Sequence, residues 1–202
     1  MVENFLRPPQ GFGDWVAESL RLAALLSVVL AAIFLQWTDA AILAFALPGV
    51  VAPRFLGMRL WADVLFSSTV LIAAASNVFE LYTRISWWDI VVHFACTGIV
   101  AAGCYILLAA LHIVPDPRSR EFTPRIGLVL TTTVGLALCA LWEIAEWLGY
   151  LYISDEIYIA YVDTIVDMIF GGLGSLAVGF AVAYLPLYRT TAARPSLAPS
   201  PR

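Results

Sequence analysis

Apolar runs separated by short polar stretches set the pattern of the chain. They extend from Leu20 to Trp37, Ala40 to Val51, Trp61 to Phe79, Trp88 to Ile113, Ile126 to Leu148 and Tyr161 to Leu187. A helix of about 20 apolar residues crosses the hydrocarbon layer of a bilayer, which is roughly 30 Å thick. The pattern therefore predicts an all-α fold: a polytopic membrane helix bundle with six transmembrane helices. The second run is short and carries Pro48-Gly49 near its end, so it reads either as a span or as a re-entrant segment. Residues 1–18 form a polar lead in which Phe12 and Trp15 suit the membrane interface. Residues 1–188 are expected to form a single six-helix membrane domain. Residues 189–202, rich in Ala, Pro and Ser, are expected to form a disordered cytoplasmic tail.

Composition agrees with the solvent that this pattern implies. The chain is 61% hydrophobic and 13% charged, with a mean hydropathy of +0.87; a soluble domain carries about a quarter charged residues. Its 202 residues leave no room for a sizeable soluble domain beside six spans, so any activity belongs within the membrane or at its surface. Cys96, Cys104 and Cys139 all lie in apolar runs, which excludes a disulfide framework. The first run follows a lead already containing Glu3, Arg7, Asp14 and Glu18, and reads as a span rather than a cleaved signal. No phosphate-binding glycine loop, serine nucleophile motif, dinucleotide fingerprint or nucleic-acid-binding patch is present.

Arginine sets the expected orientation, because the chain contains no lysine. With six spans and a cytoplasmic N-terminus, Arg7, Arg21, Arg54, Arg59, Arg118, Arg120, Arg125, Arg189, Arg194 and Arg202 all fall on the cytoplasmic side, and Arg84 alone falls outside. Both termini are then cytoplasmic. A re-entrant second run would move the later loops to the wrong side, so the same bias favours a true span there.

This topology gives the polar residues a depth. Asp89 and His93 open the fourth span from outside, and Asp163 and Asp167 open the sixth. Glu143 and Glu146 come about 17 and 20 residues after Ile126, close to the outer end of the fifth span at 1.5 Å per residue. Each pair occupies one helix face, at i,i+4 or i,i+3. Three helices can thus aim paired polar groups at one centre just inside the outer leaflet. An acid in hydrocarbon costs several kcal/mol unless it faces the bundle interior, water or a partner. Four acids together repel unless a cation or shared protons offset them. Oxygen ligands with one imidazole suit Mg²⁺, Mn²⁺ or Zn²⁺, which makes Asp89, His93, Asp163 and Asp167 the candidate metal ligands, with Glu143 and Glu146 as candidate catalytic groups.

Plainer roles exist for the same residues. Asp89 and Asp163 sit where a helix N-terminus favours an acid, Glu146 beside Trp147 can reach the headgroups, and a single interior histidine commonly needs only a hydrogen bond. Cys96 and Cys139 continue the faces of His93 and Glu143 one turn deeper and read as ordinary buried thiols. Gly171, Ser175 and Gly179 form a small-residue stripe below Asp167 that brings two membrane helices close. Trp61, Trp87, Trp88, Trp142 and Trp147 read as interfacial anchors, and Glu80 with Arg84 as a pair across one turn.

The order Trp88-Asp89-x-x-x-His93-Phe94, Trp142-Glu143-x-x-Glu146-Trp147 and Asp163-Thr164-x-x-Asp167-Met168, with Gly171 and Gly174 after it, resembles the YjdF-like family of bacterial inner-membrane proteins. More distantly it is similar to the VanZ-like family. The match covers Trp87 to Gly179. It departs from the YjdF-like pattern at Ile90, where that family carries Arg, and at Ala160-Tyr161, where it carries Gly-Asp. The resemblance implies a multi-pass protein of the bacterial cytoplasmic membrane and brings no known reaction with it.

Three functional classes fit these features. The first is a metal-dependent hydrolase or transferase acting on a membrane lipid or lipid-linked headgroup, with the ion polarising a phosphate or activating water and Glu143 or Glu146 as general base. The second is a small proton- or cation-coupled transporter, which needs polar groups leading inward. The third is a non-catalytic accessory or assembly protein, joined to a membrane-protein partner or to a second copy of itself, whose polar cluster locks the bundle.

Overall fold

A computed structural model describes residues 1–154, 157 and 159–189, and these form helices with no strand among them. In chain order they are α1 (Val2–Leu6), α2 (Phe12–Phe34), α3 (Trp37–Phe55), α4 (Leu60–Val78), α5 (Leu81–Arg84), α6 (Trp88–Val92), a π-helical turn (His93–Thr97), α7 (Gly98–Ala110), α8 (Pro124–Tyr152) and α9 (Tyr161–Tyr184). Six segments are long and apolar enough to cross a membrane: α2, α3, α4, the continuous helix Trp88–Ala110, α8 and α9. The part of the expected tail from residue 190 onward lies outside the described residues.

Two boundaries differ from expectation for identifiable reasons. Helix α2 begins at Phe12, inside the expected polar lead, because Gly11 leaves the chain extended at its N-cap and nothing after it breaks the helix. Helix α3 runs for 19 residues, well beyond the short apolar run. Gln36 and Asp39 close a reciprocal capping box at its start, and each satisfies a backbone N–H that the first turn leaves free. Pro48 and Pro53 lie inside it. Between them the Val50 carbonyl faces the Ser67 hydroxyl of α4 at 3.2 Å, a contact that holds the proline-bearing stretch against its neighbour.

Packing puts small residues inside and large ones outside. On α2, Ala17, Ala24 and Ala31 recur every seven residues and are all buried, while Leu22, Leu26, Leu30 and Ile33 are exposed. Lipid is as apolar as leucine, so helices gain by close backbone approach rather than by hiding large side chains. Helices α2, α3 and α4 pack on one another, and the helix from Trp88 to Ala110 packs with α8 and α9. The halves meet where Phe66 of α4 fills the space left by Gly103 of α7.

The end bearing the N-terminus is closed by ion pairs. Arg21 of α2 donates to both carboxylate oxygens of Asp63 of α4 at 2.6 and 2.8 Å, and Glu18 pairs with Arg21 at 3.1 Å and with Arg54. Arg54 also donates to the carbonyls of Phe5 and Arg7, each at 2.7 Å. Arg189 is held by Asp14 at 2.9 Å, and its backbone N–H donates to the carbonyl of Gly57 at 2.8 Å.

Candidate functional site

Close approach of α9 to the π-turn builds the opposite end. Gly174 lies against the carbonyl of Phe94, where an added Cβ would overlap it, and a Cβ on Gly98 would stand 2.7 Å from the carbonyl oxygen of Gly174. Only glycine permits backbones to meet at this distance. The π-turn begins at His93, and its extra residue rotates the helix beyond it by about 100° relative to an unbroken α-helix. The start of α6 is braced from α4: Trp88 donates its indole N–H to Ser76 Oγ at 2.8 Å. Trp88 is thus tied into the bundle rather than serving only as an interfacial anchor.

His93 is the hub. Its ring is buried, with 8% of the side chain exposed. On one side Nε2 lies 3.5 Å from Asp89 Oδ1 and 4.0 Å from Asp167 Oδ2. On the other, Nδ1 lies 3.9 Å from Glu143 Oε1 and 3.7 Å from Cys139 Sγ. The carboxylate separations exceed those of direct hydrogen bonds. They approach the edges, about 3.3–3.8 Å, of a tetrahedron of ligands around an ion with bonds of 2.0–2.3 Å. Among the described residues two groups have the spacing to hold a metal ion, Asp89–His93–Asp167 and His93–Cys139–Glu143.

Glu143 Oε1 is enclosed and has no hydrogen-bond partner. Native proteins rarely leave such an oxygen bare, because its desolvation is uncompensated. Cys139 is better served, donating to the Asp167 carbonyl at 3.5 Å. Gly171 makes room for its sulfur, which a Cβ there would approach to 2.8 Å.

A cavity of about 230 Å³ borders the Nε2 side, lined by Asp89, Asp163 and Asp167 together with Ser86, Ile90 and Val166 among others. Glu143 and Glu146 do not line it. Of the six residues picked from sequence, Asp89, His93, Glu143 and Asp167 converge directly, and Asp163 faces the shared cavity. Glu146 is half-buried and joins neither donor group among the described residues. Near the same end Tyr82 of α5 donates to the Ala73 carbonyl at 2.9 Å. Burial first, then the charges of Asp89 and Glu146, hold its phenol above the ordinary range. Arg84 is occupied by Glu80 at 2.8 Å. Cys139 is the member that sequence reasoning passed over; its only signal was the i,i+4 spacing to Glu143.

Bundle and cluster together define a polytopic membrane protein with a histidine–carboxylate centre at one end of its spans. Residues 14–188 match the family described as "Predicted membrane protein (DUF2238)", and the chain belongs to that family. This is the family of the YjdF-like resemblance, and the match reaches well N-terminal of the motifs that carried it. No curated protein and no solved structure matches the chain.

Proposed function

We propose that the chain binds a divalent cation through Asp89, His93 Nε2 and Asp167, with Asp163 beside it. In this reading it uses the ion on the polar headgroup of a membrane lipid or lipid-linked substrate at the outer face of the bacterial cytoplasmic membrane. The observation that carries this is the setting of His93, whose ring nitrogens face carboxylates at 3.5–4.0 Å. Such separations leave room for an ion and are poor for hydrogen bonding. The cavity supplies an open position for a substrate oxygen, which a catalytic ion needs.

The cavity also redistributes the roles expected from sequence. A general base must reach the water it activates. Asp163, which lines the cavity, is better placed for that than Glu143 or Glu146. Glu143, behind the ring, fits a positioning role: with an ion on Nε2, the Nδ1–H would face its carboxylate, 3.9 Å away, and a small closing of that gap would fix the tautomer.

A carrier reading would need a polar route to the other end. Along α4, Asp63 and Ser67 stand at one end and Ser76 at the other, with buried Val70 and Ala74 between them. Between the two ends the buried polar side chains of α8 and α9 are Thr131 and Ser175, which carry no charge, and this favours a one-sided site. The test is elemental analysis of full-length protein purified in detergent. About one equivalent of a divalent metal, absent from a His93→Ala preparation of equal helix content, is expected. Metal-free wild type that takes up no Mg²⁺, Mn²⁺ or Zn²⁺ on dialysis would remove this reading in favour of an accessory protein with a structural network.

A further inference from the structure

The Nδ1 side of His93 has a different chemistry from the cavity side. It combines one imidazole nitrogen, one thiol and one carboxylate oxygen, and neither Cys139 nor Glu143 lines the cavity beside Asp89 and Asp167. Cys139 is 1% exposed, and the Glu143 side chain is 10% exposed with Oε1 wholly enclosed and unpartnered. The distances from Nδ1, 3.7 Å to sulfur and 3.9 Å to oxygen, suit three ligands around one ion, with one bond of about 2.3 Å and two near 2.0 Å. Thiolate and imidazole favour a borderline-soft ion such as Zn²⁺, whereas the all-carboxylate partners of Nε2 also suit Mg²⁺ and Mn²⁺.

We propose that His93 Nδ1, Cys139 Sγ and Glu143 Oε1 form a second, closed cation site that takes Zn²⁺ or a similar ion and is antagonistic to the cavity-side ion. The proposal rests on the reading of the cavity side as a metal centre. The antagonism comes from the ring itself, because a neutral imidazole has one lone pair and its other nitrogen carries the proton. An ion on Nδ1 leaves a proton on Nε2, facing Asp89 and Asp167, and deprives the cavity-side ion of its nitrogen ligand. The thiol loses its proton to solvent as the ion binds, and no oxidant or reductant is involved. Zinc on the closed side would therefore turn the open side off, a form of metal-selective control written into one histidine.

The probe is Co²⁺, added to metal-free, full-length protein in detergent, because a cobalt–thiolate bond gives a charge-transfer band in the near ultraviolet. Wild type is expected to show the band, and Zn²⁺ to abolish it. Cys139→Ser should lack it and Cys104→Ser should keep it. Loss of a supporting carboxylate typically weakens a metal about 10–100-fold, so Glu143→Gln should raise the cobalt concentration for half-maximal absorbance by at least that order. Prior loading with Mn²⁺, monitored by its paramagnetic resonance, should raise the same concentration in wild type and leave it unchanged in Asp167→Asn. A wild type that binds Mn²⁺ but shows no thiolate band overturns the second site and leaves the cavity-side centre standing. A band that survives Cys139→Ser also overturns it. A Cys139-dependent band in a protein that binds no Mn²⁺ overturns both the cavity-side reading and the antagonism.

Discussion

Gly174 of α9 rests against the carbonyl oxygen of Phe94, inside the π-turn that opens at His93. The contact is backbone to backbone, so no side chain can move aside to relieve a clash. It sets how closely the helix bearing Asp163 and Asp167 approaches the helix bearing Asp89 and His93.

Gly174→Ala should accordingly separate α9 from the π-turn. Overpacking of a tight contact costs about 1–3 kcal/mol, and a backbone obstacle belongs at the upper end. A lowered melting temperature in detergent, together with weaker metal retention, is the expected outcome. Gly11→Ala serves as control, because nothing lies within 4 Å of a Cβ there. Equal melting of the two variants would show that the close approach does not hold the site together.

Arg21 and Asp63 form a nearly enclosed pair, with side chains 10% and 12% exposed, and the one hydroxyl proton of Ser67 is shared between Asp63 and the Val50 carbonyl, each at 3.2 Å. Removing one partner of a buried pair costs up to about 3–5 kcal/mol where it leaves a bare charge, and Arg21 would keep only Glu18, at 3.1 Å. Asp63→Leu should therefore destabilise strongly, and adding Arg21→Met should recover most of the loss. Denaturation of the single and double variants in matched detergent checks this; a double variant no more stable than Asp63→Leu would contradict it.

The spans, and one member or both of each polar pair, were legible because the sequence signals behind them are costly. An acid in an apolar run needs a partner, and an i,i+4 pair can face only one way along a helix. Asp89, His93, Glu143 and Asp167 were found on those grounds alone. Cys139 was not, because a buried thiol is ordinary. The notch at Gly171 and the turn of the chain at His93 bring it to the ring, and both are consequences of helix contact rather than local sequence. The ion pair between Arg21 and Asp63 spans 42 positions and was hidden for a similar reason, since arginines near span ends read as loop charges. Helix α3 outran its apolar run because the capping box of Gln36 and Asp39 that starts it lies outside that run.

The arginine distribution makes a prediction of orientation. Reporter fusions after Arg202 should lie in the cytoplasm, and a reporter inserted between Asp155 and Glu156 should lie outside. Alternating labels on single-cysteine variants of the six spans provide an independent check. An external C-terminus would place the His93 centre at the cytoplasmic face and change the substrate pool open to it.

Chelation separates ligand from bystander among the acids. A ligand that binds only the folded state stabilises it by RT ln(1 + [L]/Kd), about 2.7 kcal/mol at a hundredfold excess over Kd. Chelator should then lower the melting temperature of wild type. Asp167, whose side chain is 4% exposed beside His93, belongs to the cavity-side donor group, so Asp167→Asn should erase most of the difference between chelated and metal-loaded protein. Asp163→Asn, at the cavity wall, should keep a metal-dependent shift while losing headgroup chemistry, if its role is to activate water. Glu80 and Arg84 form an exposed pair with about two-thirds of each side chain in solvent. Such pairs contribute about 0–1 kcal/mol, and Glu80→Gln should leave the metal-dependent shift intact. A shift equally large in wild type and Asp167→Asn would place the stabilising ion elsewhere and count against the cavity-side donor set.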